Sequence, residues 1–88
     1  MRVEFRRSFT RDLGGIRDRQ LLNRARETIQ EVERAGSLSE VREVRKLRGE
    51  ERYYRIRVGD YRLGIVVEAD IVIFVRFLHR REIYRYFP

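Results

Sequence analysis

The sequence has no cysteine, a single histidine and only one lysine among its 21 basic residues. Without cysteine there is no disulfide framework and no thiolate metal site. With His79 alone, a multi-histidine metal site is excluded too. No apolar run approaches the roughly 18 residues that a membrane span requires. The opening Met1-Arg2-Val3-Glu4-Phe5-Arg6 alternates charge with apolar residues where a signal peptide is continuously apolar. These absences predict a cytoplasmic protein with no membrane partner and no cofactor.

What is present suits a folded domain. Hydrophobic residues make up 42% of the 88 positions and charged residues 40%, and five Phe and five Tyr argue against disorder. This length supports one modest core, so a single domain over residues 1–88 is expected. The net charge is +7 and unevenly placed: residues 1–44 carry 10 basic and 8 acidic groups, residues 45–88 carry 11 and 6. Twenty of the basic residues are Arg, whose planar fork pairs with phosphate in a bidentate manner and stacks on bases. An arginine-rich host composition accounts for the count equally well, so only position can separate the two readings.

Periodicity supplies the elements. Val3 and Phe5 share one face of a first strand over Arg2–Arg6. Ser8 is placed to cap a short helix through Leu13, with Phe9 and Leu13 one turn apart, and Gly14-Gly15 ends it. Asp18 is placed to cap a second helix reaching Ala35, with an apolar stripe of Leu22, Ala25, Ile29 and Val32 and a stop at Gly36. Residues 37–52 are polar and unassigned, with Val41, Val44 and Leu47 as an irregular apolar edge. Tyr53–Val58 and Tyr61–Val67 read as strands joined by a two-residue Gly59-Asp60 turn. Ile71–Leu78, apolar on both faces, reads as a central strand. The segment from His79 to Pro88 is a basic, aromatic tail. The order β-α-α-β-β-β predicts an α+β domain of two layers, a mainly antiparallel sheet packed against a helical hairpin.

The turn fixes a register: Val58 faces Tyr61, Arg57 faces Arg62, Ile56 faces Leu63 and Arg55 faces Gly64. Ile56 and Leu63 belong to the core, so Arg55, Arg57 and Arg62 share the opposite face. Like charges directly across a strand pair destabilise it by roughly 0.2–1 kcal/mol, a penalty that a bound polyanion reverses. Gly64 leaves room beside Arg55 for a ligand. The bland alternative is a solvated face of an arginine-rich sheet. His79, Arg80, Arg81, Tyr84, Arg85 and Tyr86 crowd the tail, where Tyr and His can stack on bases or take part in proton transfer.

Lys46-Leu47-Arg48-Gly49, Tyr54-Arg55-Ile56-Arg57, Gly59-Asp60-Tyr61-Arg62-Leu63 and His79-Arg80-Arg81-Glu82-Ile83-Tyr84 together resemble the successive signatures of RelE-type toxins in the RelE/ParE superfamily. The resemblance spans essentially the whole chain. It implies an mRNA interferase of a type II toxin–antitoxin pair, acting in the ribosomal A site by metal-free attack of a ribose 2′-OH on the adjacent phosphate and so inhibiting translation. It assigns catalytic roles to Arg55, Arg57, Arg62, Arg81 and Tyr84, with His79 a further candidate. Arg57 and Arg62 clamp the phosphate, Arg81 serves the leaving 5′-oxygen, and Tyr84 orients or stacks the nucleotide. Lys46, Arg48, Arg80 and Arg85 are the further candidate RNA contacts.

The implied partners are a cognate antitoxin, the ribosome and mRNA, with operator DNA reached only through the antitoxin. One departure is plain. Some relatives use a hairpin lysine as base, and here both positions are Arg, which hardly deprotonates. His79, Glu50 or Glu51 remain as bases, or catalysis by positioning alone. The competing readings are a ParE-type inhibitor of DNA gyrase and a noncatalytic RNA- or ribosome-binding module.

Overall fold

A computed structural model describes all of Met1–Pro88. The chain runs β1 (Arg2–Phe5), α1 (Arg7–Gly14), α2 (Arg19–Arg34), β2 (Val44–Lys46), β3 (Tyr53–Val58), β4 (Tyr61–Glu68), β5 (Ile71–His79) and α3 (Arg80–Tyr86), with a single 3-10 turn at Leu38–Glu40. The five strands form one open sheet in the order β1-β5-β4-β3-β2. β1 pairs with β5 in parallel and the other pairs are antiparallel. This is the expected α+β architecture, extended by two elements. β2 falls inside the unassigned stretch, and the tail folds as a third helix.

The alternation along β3 and β4 produces the core. Ile56, Val58, Leu63 and Ile65 are buried on the face that carries α1 and α2, together with Val72, Phe74 and Phe77 of β5. Their register is the expected one: Val58↔Tyr61, Arg57↔Arg62, Ile56↔Leu63 and Arg55↔Gly64. The turn takes Gly59 at a φ of 60°, a backbone conformation that favours glycine.

Phe9 of α1 packs between Phe74 and Phe77, with ring centroids 5.4 and 6.4 Å away. Losing such a ring costs about 3–5 kcal/mol. α2 lies across the same face. Asp18 caps it by accepting from the Leu21 N–H at 3.2 Å, and Ala25 and Val32 are buried. At the upper end of its stripe Leu21, rather than Leu22, is the leucine that packs on the core.

Ser8 does not cap α1. The helix starts one residue after Arg6, and the Ser8 hydroxyl donates instead to the carbonyl of Val75. The reason lies in β5. The β4–β5 register steps from Ile65↔Phe74 to Gly64↔Arg76, leaving Val75 as an unpaired bulge. Beyond Phe74, β5 has no strand on its outer side, because β1 pairs only up to that residue. α1 closes this free edge. Asp12 accepts the Phe77 N–H at 2.9 Å and forms a two-pronged ion pair with Arg76, at 2.8 and 3.2 Å. That hydrogen bond raises the Arg76 pKa above its ordinary value against the opposing effect of burial, and the Asp12 charge adds to the rise.

The second face of the sheet is partly covered by α3. Ile83 and the following Phe87 are buried there, as are Val66 and Ile73, outside the main core cluster. Charge-assisted hydrogen bonds contribute about 1.5–3 kcal/mol each. Replacement of Asp12 by Ala is therefore expected to lower stability by about 2 kcal/mol or more. Urea denaturation reads this as a reduced midpoint at unchanged slope.

Candidate functional site

The alternation that buries Ile56 and Leu63 turns Arg55, Arg57 and Arg62 to the α3 face. β2 adds to this face. Its register sets Arg45 directly against Arg55, and the Arg57 N–H donates to the Glu43 carbonyl at 3.0 Å, so Glu43 sits beside Arg57 at the end of that row. Glu43, Arg45, Arg55, Arg57, Arg62 and Tyr84 line one open cleft of about 280 Å³. None of the four arginines takes part in an ion pair.

Two of the cations are held in place. Arg62 donates through Nη1 to the carbonyls of Gly59 at 3.0 Å and Tyr61 at 2.9 Å, so the turn aims its guanidinium. Arg55 lies under the Tyr84 ring, 4.4 Å from its centroid, a cation–π distance. Tyr84 is nevertheless 71% exposed, which leaves the ring available for stacking. Burial pushes the Arg62 pKa down, and Arg57, Arg55 and Arg80 push it further in the same direction, with Tyr84 alone opposing. The cleft therefore holds positive charge under mutual repulsion.

A larger groove of about 540 Å³ adjoins the cleft through Arg45, Arg55 and Tyr84, and is lined further by Lys46, Arg48, Glu50 and Phe87. Lys46 reaches it from the edge. Its register partner is Tyr54, so its strand position belongs to the helix-covered face. Arg80 and Arg81 precede Tyr84 on α3 by four and three residues, and neither lines either hollow. The Arg80 N–H also ties the helix start to the hairpin turn, donating to the Asp60 carbonyl at 2.7 Å.

Four expectations are corrected by this geometry. His79 does not face the cleft. The bulge at Val75 shifts the register so that His79 pairs with Tyr61, on the helix-covered face, and its ring meets the Tyr61 ring edge-on at 5.5 Å. Its Nδ1 accepts the Arg81 N–H at 3.2 Å, which caps α3. Arg85 lines neither hollow, and its guanidinium stands 6.0 Å from the Tyr86 ring centroid.

The space at Gly64 is not open to a ligand. A Cβ there would come within 2.8 Å of the Phe87 ring, so the glycine is the seat of that ring. Of the acidic candidates, Glu50 lines the larger groove and Glu51 lines neither. Arg45 and Glu43 were not singled out from sequence. Arg45 lies in a three-residue strand and Glu43 just before it, a run too short for periodicity to assign either a face.

The same architecture occurs in solved toxin structures. The chain matches the toxin of the "RelB-RelE antitoxin-toxin complex" of Methanococcus jannaschii at 40% identity and a TM-score of 0.82, over 97% of this chain and 99% of that one. It matches the "toxin-antitoxin complex RelBE2" of Mycobacterium tuberculosis at 27% identity and 0.68, over 90% and 96%. Toxin RelE3 of Methanocaldococcus jannaschii is 44% identical over the full length of both chains.

Residues 3–84 match the family described as the ParE toxin of the type II toxin–antitoxin system parDE. The chain belongs to the RelE/ParE superfamily of type II toxin–antitoxin toxins, and within it is RelE-like.

The repulsion within the cleft has a measurable consequence. Arg57→Gln is expected to stabilise the protein by roughly 0.5 kcal/mol at low ionic strength. In thermal melts that gain should shrink as salt rises and screens the wild-type repulsion. Gly64→Ala is expected to act in the opposite direction: the Phe87 ring is displaced, Tm falls, and the amides of α3 lose hydrogen-exchange protection while those of β4 keep theirs.

Proposed function

We propose that this chain is a ribosome-dependent endoribonuclease that cuts mRNA and so inhibits translation. The observation that carries the reading is the convergence of Arg45, Arg55, Arg57 and Arg62 with an exposed Tyr84 around one cleft, with none of the arginines neutralised by an ion pair. The reaction needs little more than this arrangement. The ribose 2′-oxygen attacks the adjacent phosphorus, the P–O5′ bond breaks, and a 2′,3′-cyclic phosphate and a 5′-hydroxyl result.

Negative charge grows on the phosphoryl oxygens in the transition state. Fixed cations aimed at that charge lower the barrier because they need no reorganisation when it develops. Arg62, held by the turn carbonyls, and Arg57, its cross-strand partner, clamp the phosphate. Tyr84 stacks a base against its open face, with Arg55 behind the ring. Arg81, one turn before Tyr84 on α3, attends the leaving 5′-oxygen. Arg80, Lys46 and Arg48 bind flanking phosphates. No cofactor takes part.

The chain acts as one domain over its 88 residues in the cytoplasm. It is held in check by a cognate antitoxin and reaches operator DNA only through that partner. The similar toxins solved with RelB antitoxins support this pairing. No helix is long and apolar enough to cross a membrane.

The match to a ParE family model favours a second reading, inhibition of DNA gyrase. The two separate in paired assays. In a reconstituted translation reaction, the wild-type chain is expected to generate new mRNA 5′ ends bearing a hydroxyl, and Arg62→Ala to cut at least about 10²-fold more slowly. Intact mRNA combined with blocked gyrase supercoiling would establish the second reading instead.

A further inference from the structure

The row of cations does not stop at the cleft. β2 ends opposite Ile56, and its last tie to β3 is the hydrogen bond from the Arg57 N–H to the Glu43 carbonyl. Past that point β3 has no strand on its outer side, and the cleft opens around the end of the hairpin. A second hollow, of about 210 Å³, lies there. Arg57 and Glu43 line both, so the two share a wall. The further charges of the second hollow are Arg24 and Glu27 of α2 and Arg42, just before β2.

Arg24 serves this hollow rather than its own helix. Glu27 stands three residues on, the spacing of a helical ion pair, and yet the two are not paired. The Arg24 guanidinium lies instead against the hairpin turn, where a Cβ on Gly59 would come within 2.8 Å of its Nη1. The carbonyl of the same Gly59 helps to hold Arg62. A single glycine therefore stands between a cation of the cleft and a cation of the hollow beside it. Arg42 makes one ion pair, at 3.7 Å to Glu31, which lies outside the hollow, and Arg57 makes none. Three cations and two carboxylates leave the hollow positive, with no ion pair inside it. Crowding Arg24 and Arg42 around Arg57 adds repulsion that a bound anion reverses.

We propose that Arg24 anchors a second phosphate seat, completed by Arg42, for the backbone phosphate next to the one being cut. The inference rests on the nuclease reading and deepens it. Arg57 and Arg62 take the scissile phosphate, and the RNA strand then leaves the cleft around the end of the hairpin, towards α2. Arginine suits the seat because its planar fork takes two phosphate oxygens at once. The gain is orientation. A strand held at two successive phosphates cannot pivot about the first, which keeps the attacking 2′-oxygen in line with the P–O5′ bond.

Neutralising single phosphates tests this on the full-length chain. Binding is measured on ribosomes programmed with an mRNA that carries a 2′-deoxy nucleotide at the cut site. A series of such mRNAs places one uncharged methylphosphonate linkage at each position in turn around the cut. For the wild-type chain, neutralising the phosphate next to the scissile one, on one side, is expected to weaken binding about tenfold. Arg24→Gln is expected to weaken binding of the unmodified mRNA by a similar factor and to be indifferent to that same linkage, the non-additivity of two groups in contact. Arg24 is exposed, so the variant is expected to keep the wild-type Tm.

A loss of affinity in Arg24→Gln with every linkage still costing what it costs the wild-type chain overturns the assignment. Arg24 is then a contact of the ribosome or a source of diffuse charge. Unchanged affinity in Arg24→Gln overturns it as well. Both results leave the nuclease reading standing when the wild-type chain cuts the natural mRNA. A wild-type chain that never cuts it overturns the reading and the assignment together.

Discussion

Ile56 and Leu63 face one another across the β3–β4 hairpin, both almost wholly buried, and most of the molecule's chemistry follows from that pair. A slip of one residue would move every side chain of the strand to the other face. It would bury Arg55, Arg57 and Arg62 and expose the isoleucine and leucine. The hydrophobic effect therefore holds the arginines together on the far face although their charges repel. Burial of two aliphatic side chains contributes about 1.5–3 kcal/mol each, against roughly 0.2–1 kcal/mol for a like-charge cross-strand pair. Burial outweighs repulsion, and the charged cleft is the result.

A second contact finishes what the hairpin starts. The Phe87 ring rests on Gly64 and lies 5.7 Å from the Tyr53 ring, and Ile83 is buried one turn earlier. These anchors seat α3 against the sheet and bring Tyr84 over Arg55. The helix is too short to be stable alone, so its contribution to the cleft depends on this packing. Gly64 thus serves the site by accepting a side chain from the chain's own end.

The cleft places stability and function in opposition at several points. Arg57 opposes Arg62, burial works against the charge on Arg62, and Glu43 adopts a backbone conformation unfavourable to its residue type. Each is a local penalty concentrated around one hollow, as is usual where a structure prepares for a ligand that will offset it. Elsewhere the pairing is conventional. Asp12 closes the free edge of β5 and compensates Arg76 in a largely buried position.

Much of this was legible from the residues. Strict alternation and the Gly59-Asp60 turn determined the hairpin, its register and the shared face of Arg55, Arg57 and Arg62, because a two-residue loop admits one pairing. Asp18, the apolar stripe and the glycines bounded the helices for the same local reasons. Other features belong to tertiary structure alone. The bulge at Val75 reverses the facing of residues 76–79. An unbroken strand would have set His79 on the arginine face, and the bulge sets it against Tyr61 instead. β2 exists because β3 offers an edge to three residues that have no strand periodicity of their own, and its pairing brings Arg45 and Glu43 into the cleft. α3 exists because the sheet supplies a hole at Gly64 for Phe87. Periodicity reports which way a side chain points within its own element; which elements meet, and where a register steps, is decided by packing between segments far apart in the chain.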